Sequence, residues 1–283
     1  MTKTLTIVSL ALCCGLCACS SEDEKRAERL YTSAEQAFHE ERYDYAISLL
    51  DSIESDCKKA IEWRKKGHTF SYEVQLAQQR EELASADTML LAVTKCINEL
   101  VESGKFDYAK GEYDELGRFF VRGTEAEKNI GRNYVHATVN EYGIVQLISE
   151  YRGGSFINHT QLRFIGQDKS EMTTANVPLS NEGANYHFKH GGVCHETVTY
   201  VNDSALAYVD MHANDSRLKA VLVYADGTKN LAVQLTDADR NAIALTYQLS
   251  KMLAAQLQYK QRSKTAAGKI QFLQAKMGKI DEL

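Results

Sequence analysis

Proline is almost missing from this chain, with Pro178 the single one among 283 residues, so proline-rich linkers are excluded and long helices can run unbroken. Basic excess is missing too. The 33 Lys and Arg are outnumbered by 38 Asp and Glu, a net charge of −5, which removes the electrostatic footprint that nucleic-acid binding requires. No nucleic acid is expected as a partner. Tryptophan is reduced to Trp63, which counts against a sugar-stacking platform built on indole rings. The chain also holds no phosphate-cradling glycine loop, no Gly-x-Ser-x-Gly and no His-Glu-x-x-His. The commonest marks of nucleotide binding, serine hydrolysis and zinc proteolysis are therefore lacking. No catalytic residue and no cofactor is expected, and an enzyme is disfavoured.

Long apolar runs are limited to one. Leu5 to Cys17, behind Lys3, is too short to cross a bilayer, which takes ~20 apolar residues, and predicts a secretory signal over residues 1–18. The next stretch, Leu16-Cys17-Ala18-Cys19, resembles the lipobox of bacterial lipoproteins that signal peptidase II processes. The resemblance implies cleavage after Ala18 and lipid modification of Cys19, and hence anchoring to the bacterial outer membrane. Acyl chains burying ~0.8 kcal/mol per CH₂ suffice for a stable anchor. A plain secretory leader cut at the same place is the alternative. Ser20-Ser21-Glu22-Asp23-Glu24 is similar to the surface-export signal of Bacteroidota lipoproteins, leaving the cell surface and the periplasmic face both open. Residues 19–26 read as a lipidated acidic tether. Asp51-Ser52-Ile53, Asp87-Thr88-Met89 and Asp203-Ser204-Ala205 resemble that phylum's short O-glycosylation motif, with Ser52, Thr88 and Ser204 as acceptors.

What is abundant is helical periodicity. From Ala242 the alternation of three and four residues passes Leu245, Leu249, Met252, Gln256, Tyr259, Ser263, Ala266, Ile270, Leu273, Met277 and Ile280, apolar or Ala at ten of twelve places. That is the a/d seam of a coiled coil, and it requires a partner. Tyr72, Leu76, Gln79, Leu83, Ala86, Leu90, Val93, Ile97 and Leu100 supply one. The two seams predict a long antiparallel coiled-coil stalk, made of helices within residues 71–130 and a C-terminal helix over 236–283. Self-association is then possible but not required. Gln79, Gln256 and Ser263 intrude on the seams, where buried polar groups either fix the register or mark a place where the pairing loosens or another helix covers that side, the second being expected. Residues 27–66 resemble one tetratricopeptide helix pair, with Leu30, Ala34, Phe38, Ala46, Leu50 and Ile53 at the matching places. One repeat cannot form a groove, so a docked hairpin with Trp63 as a packing residue is predicted. Gly67 is expected to break the helix, and Tyr113 to Lys128 to form a shorter, bent one.

Residues 133–235 change period. Tyr134–Val139, Ile144–Tyr151, Ile157–Ile165, Tyr186–Lys189, Glu196–Val201, Leu206–Met211, Leu218–Ala225 and Asn230–Leu235 read as short strands. Asp226-Gly227 suggests a type I′ hairpin, Asn140-Glu141-Tyr142-Gly143 another turn, and Thr236-Asp237-Ala238-Asp239 a helix cap. The expected class is α+β: the helical stalk plus an antiparallel β-sandwich head. With Ile157-Asn158-His159-Thr160 and the run from Asn185 to Gly192, residues 70–283 look like a group of Bacteroidota envelope lipoproteins with a helical stalk and β head. The likeness implies no activity.

The densest group of reactive side chains is His187, His190, Cys194 and His195. Nitrogen and sulfur ligands of this kind suit zinc, but strand alternation separates His187 from His190, and a polar hairpin tip is the preferred reading. Cys57 and Cys96 lie too far apart for a bridge in the expected hairpin, so free, mostly buried thiols are predicted with Cys194. The ten aromatics of the β segment, all Tyr or Phe, are expected mainly in its core. The leading functional expectation is a non-catalytic envelope lipoprotein whose β head binds an unknown protein or glycan partner. A structural coiled-coil lipoprotein and a metal-dependent hydrolase using the histidine cluster are the alternatives.

Overall fold

The computed structural model describes residues 22–227 and 229–281. The predicted leader, the Ala18 cleavage point and the lipidation residue Cys19 lie outside the described residues. The chain is a mixed helix and sheet protein with two wholly antiparallel sheets. It divides into two compact units, one formed by residues 1–83 with 264–283 and one by residues 84–263. No described helix is long and apolar enough to cross a membrane.

In the first unit, α1 (Glu22–His39) and α2 (Tyr43–Asp56) form a hairpin on the beginning of α3 (Ile61–Leu100). Ala27, Ala34, Ala37, Ala46 and Ala60 are buried between them, and side chains this small let helix axes approach closely. Phe70, Val74, Leu50 and Ile53 fill the same core. Trp63 is half-buried, its ring 5.5 Å from that of Tyr31, as the packing role required. Two expectations are corrected here. Residues 22–26 of the predicted tether are the first turn of α1, where Glu22, Asp23 and Glu24 face the positive helix end and Asp23 accepts the Lys59 backbone N–H at 3.1 Å. Gly67 does not break the helix. It sits buried inside α3, where an added Cβ would lie 3.7 Å from Leu50 and Ile53, and burial against α2 outweighs the ~1 kcal/mol propensity cost.

The second unit holds both sheets. One has the order β1 (Phe106–Ala109), β2 (Arg118–Val121), β3 (Tyr134–Asn140), β4 (Val145–Gly153), β8 (Val193–Val201), β7 (Asn185–His190). The other runs β10 (Asn230–Val233), β9 (Lys219–Tyr224), β5 (His159–Ile165), β6 (Glu171–Thr173). Leu147, Val198 and Tyr200 from the first sheet and Leu162, Phe164 and Leu222 from the second share one buried cluster with α4 (Ala205–Met211) and α5 (Asp237–Asp281). Seven of the eight expected strands form. The eighth, Leu206–Met211, is α4, because Ala205, Leu206, Tyr208 and Val209 are buried together at helical spacing and Asp203 accepts the Ala205 N–H at 2.8 Å. The helix expected over Tyr113 to Lys128 is instead a turn, β2 and a single tight helical turn at Ala126–Lys128. Phe119 and Phe120 pair with Val139 and Thr138 of β3, and sheet pairing prevails over a glycine-weakened helix.

The turns carry the glycines where positive φ is needed. At Asn140–Gly143, Gly143 adopts φ +81°, and an added Cβ would meet Ser250 O at 2.6 Å and Ala254 N at 2.7 Å on the α5 backbone. Near Asp226-Gly227 only Gly227 takes positive φ among the described residues. The expected type I′ hairpin is therefore not formed, and the connection is longer than two residues. Before α5, Thr236 Oγ1 accepts the Asp239 N–H at 3.1 Å while Asp239 Oδ2 accepts the Thr236 N–H at 2.9 Å, a reciprocal cap.

All nine seam positions of α3 and the eleven described ones of α5 are buried or half-buried. Within the second unit the polar intruders find partners instead of loosening the pairing. Gln256 Nε2 donates to Thr94 Oγ1 at 2.8 Å and Ser263 Oγ to Asp87 Oδ1 at 2.7 Å, one heptad apart on each helix and antiparallel.

Candidate functional site

The hairpin β7–β8 carries all four sequence-singled residues. Its two-residue loop, Gly191-Gly192, has φ of +56° and +82°, the conformation a tight hairpin demands and that glycine adopts without steric cost. The register sets His187 opposite Glu196, Phe188 opposite His195, Lys189 opposite Cys194 and His190 opposite Val193. Alternation then parts the four candidates. His187 and Cys194 turn to the inner side with the buried Val198 and Tyr200, while His190 and His195 share the outer side with Tyr186 and Phe188. Among the described residues no three His, Cys, Asp or Glu side chains converge as a metal ion would need. Cys57, Cys96 and Cys194 are all free, and two of the three are buried, in line with the mostly buried thiols expected; Cys96 is the exposed one. Cys96 falls on the solvent side of α3, immediately before the buried Ile97.

On the inner side lies a network whose roles the sequence reading missed. Glu196, fully buried, accepts the backbone N–H groups of Ile157 at 2.5 Å and Asn158 at 2.8 Å through Oε1, and that of His159 at 3.1 Å through Oε2. His159 Nδ1 lies 2.7 Å from the same Oε2, and His159 Nε2 lies 2.8 Å from Ser149 Oγ. Burial by itself would raise the Glu196 carboxyl; the hydrogen bonds from His159 and the backbone outweigh it and hold the group below the usual carboxylate range. An ionised carboxylate only accepts, so Nδ1 carries a proton. Asn185 Nδ2 completes the arrangement by donating to His159 O at 3.1 Å and Val177 O at 2.9 Å. The network ties β4 and β8 of one sheet to β5 of the other. Its order, hydroxyl to imidazole to carboxylate, is the one serine hydrolases use, but Ser149, His159 and Glu196 each have 0% exposure, and a sealed hydroxyl meets no substrate. The readable signal was phase. Ser149 and Glu196 occupy the same alternation as Leu147, Tyr151, Val198 and Tyr200, and a carboxylate in an apolar phase must be paired.

The outer side is the reverse. Tyr186 is 56% exposed and Phe188 40%, although both are aromatic. Phe188 stacks on His195 with ring centroids 4.4 Å apart and lies 5.6 Å from Tyr186. Beyond them on β8, Thr197 donates to Glu150 Oε2 at 2.8 Å, and His136 lies 3.9 Å from the other oxygen of that carboxylate. β7 ends its sheet, so Tyr186 and Phe188 stand on an edge strand. Of the ten β-segment aromatics, Tyr134, Tyr151, Phe164, Tyr200 and Tyr208 are buried and Tyr142, Phe156, Tyr186 and Phe188 exposed, so the core holds about half of them. The glycosylation-like Ser52 and Thr88 donate within their helices to Ser48 O and Ala84 O, each at 2.8 Å. Compared with protein-family models, curated proteins and solved structures, the chain has no match at a significant level in any of the three.

Proposed function

We propose that this is a non-catalytic envelope lipoprotein, anchored to the outer membrane through Cys19, whose β region binds a partner on the outer side of the β7–β8 hairpin. A protein segment is the favoured occupant and a glycan the second. One observation carries the reading: exposed Tyr186 and Phe188 lie on the end strand of a sheet. An edge strand offers backbone donors and acceptors to an added strand, and alternate aromatic side chains give that strand pockets to read. The sealing of Ser149, His159 and Glu196 supports a structural role for this triad-like grouping, and the parting of His187, Cys194, His190 and His195 across the strand removes support from the metal-dependent hydrolase. The withdrawn seams, with Gln256 bonded to Thr94 and Ser263 to Asp87, support α3 and α5 as the coiled-coil stalk. The buried cluster common to both sheets supports a sandwich. Location at the surface or at the periplasmic face both fit. The test is co-purification of the full chain from envelopes beside its Tyr186→Ser/Phe188→Ser variant. A partner retained by the first and lost from the second is expected; equal retention by both would refute the assignment of this face.

A further inference from the structure

A second site lies away from the hairpin, where β2 and the turn after it face the start of α5. A cleft of about 540 Å³ opens there, lined by Lys105, Val121, Arg122, Arg132, Asp239 and Leu245 among others. That size falls within the range of small-molecule pockets. Its charge is opposite in sign to the molecule's. Three cations and one carboxylate line it, and with Asp107 paired to Arg122 the local balance is still one positive charge in a chain whose net charge is −5.

The four charged groups are not equivalent. Arg132 and Asp239 satisfy each other through two bonds of 2.6 Å, and Asp239 also caps α5, so this pair builds the wall. Arg122 meets Asp107 through Nε at 2.8 Å, which leaves its terminal nitrogens without an acid acceptor. The Lys105 ammonium has no acid partner among the described residues. Both side chains are exposed and sit on the rim. Deeper in, Val121, Ala242 and Leu245 present hydrocarbon, with Ala242 buried and the other two half-buried. A cleft with paired charge in its wall, the Lys105 ammonium and the terminal nitrogens of Arg122 at its mouth, and hydrocarbon inside fits one kind of molecule.

We propose that the cleft binds a small anionic amphiphile, a carboxylate or phosphate head on a short apolar body, with the head between Lys105 and Arg122 and the body against Val121, Ala242 and Leu245. The head is held by charge-assisted hydrogen bonds, and a guanidinium offers its terminal nitrogens to two oxygens at once. The body supplies the remaining affinity by leaving water.

Titration calorimetry of the full chain tests this with four probes: decanoate, decanol, inorganic phosphate, and phosphatidylglycerol vesicles. Decanoate should bind saturably at one site per chain. Decanol and phosphate should each bind at least tenfold more weakly, since each keeps half of the recognition. In the Lys105→Ser/Arg122→Ser variant, whose changes are on exposed side chains and spare the Arg132–Asp239 pair, decanoate affinity should fall at least tenfold and decanol affinity should not change. Leu245→Asp, which puts a second carboxylate in the cleft, should abolish decanoate binding. Absence of saturable decanoate binding, or equal binding by wild type and the serine variant, would overturn the proposal. Retention on the vesicles without binding of free decanoate would also overturn it and assign the cations to a lipid headgroup.

Discussion

The two sides of the β7–β8 hairpin invert the usual distribution of side chains. Inside, where hydrocarbon is the rule, sit Glu196, His159 and Ser149 with 0% exposure; outside, where polar groups are the rule, sit Tyr186 at 56% and Phe188 at 40%. The inner group is tolerated because each bonding atom is matched: one carboxylate takes three backbone N–H groups and an imidazole. Among the described residues the outer group has ring contacts alone, Phe188 with His195 and Tyr186, and stays exposed. A buried charge is accounted for by its partners, and an exposed aromatic strip by a partner elsewhere. On the proposed reading, folding and recognition fall to opposite faces of the same two strands.

The comparison is broken most forcefully from inside. Glu196→Ala strands four donors in the core, and a loss of about 3–5 kcal/mol is expected from removing one member of a buried pair, read as a drop in the urea midpoint. Next comes Gly143→Ala, which combines a positive φ with a clash against the α5 backbone at 2.6 and 2.7 Å and should cost about 2–3 kcal/mol. Acid provides the third lever. Glu196 and Asp239 both have lowered carboxyl pKa values: burial raises each, and hydrogen bonds from His159 and the backbone in one case, and from Arg132 and Thr236 in the other, outweigh it. A carboxyl lowered on folding stabilises the native state above its unfolded value, ~3.9 for Asp and ~4.3 for Glu, and that stability is lost as pH falls through the lower folded value. Unfolding free energy should therefore decline below about pH 4, and Glu196→Gln should flatten the decline in a pH series of urea melts.

Smaller effects sharpen the other side. Tyr186→Ser with Phe188→Ser should change stability by no more than about 0.5 kcal/mol, as exposed positions do. A larger loss in thermal unfolding would mean the strip is packed, not open. Thiol labelling of the native full chain should modify Cys96 at once, and Cys57 and Cys194 only after denaturation, since those two are buried.

Much of this architecture was legible in period alone. The seam residues from Tyr72 to Leu100 and from Ala242 to Met277 are all buried or half-buried, while Val74, Ile243, Thr246 and Leu253 off the seam are buried as well, because a 3–4 alternation marks one stripe to hide but not the others that a packed core also covers. Seven strands followed from β-branched and aromatic runs with turn residues between them. The failures share a cause. Phe119-Phe120 and Leu206–Met211 are short apolar runs whose state is decided by what they pack on: β3 takes the first as a strand, while the second closes on the core as a helix. The His187 group drew notice because reactive residues lay close in sequence, yet period 2 sends neighbours to opposite faces. Glu196 passed unnoticed although its phase with Val198 and Tyr200 marked it, since its partners Ser149 and His159 come from other strands and only the register of β4, β5 and β8 brings them together.

The assignment of recognition to the outer face is tested most directly by placing a benzophenone amino acid at position 186 of the full chain and irradiating intact cells. The account predicts an adduct of defined mass that is absent when the same probe replaces Met211, a still more solvent-facing residue of the same unit at 75% exposure. Identical adducts from the two positions, or none from position 186, would contradict it.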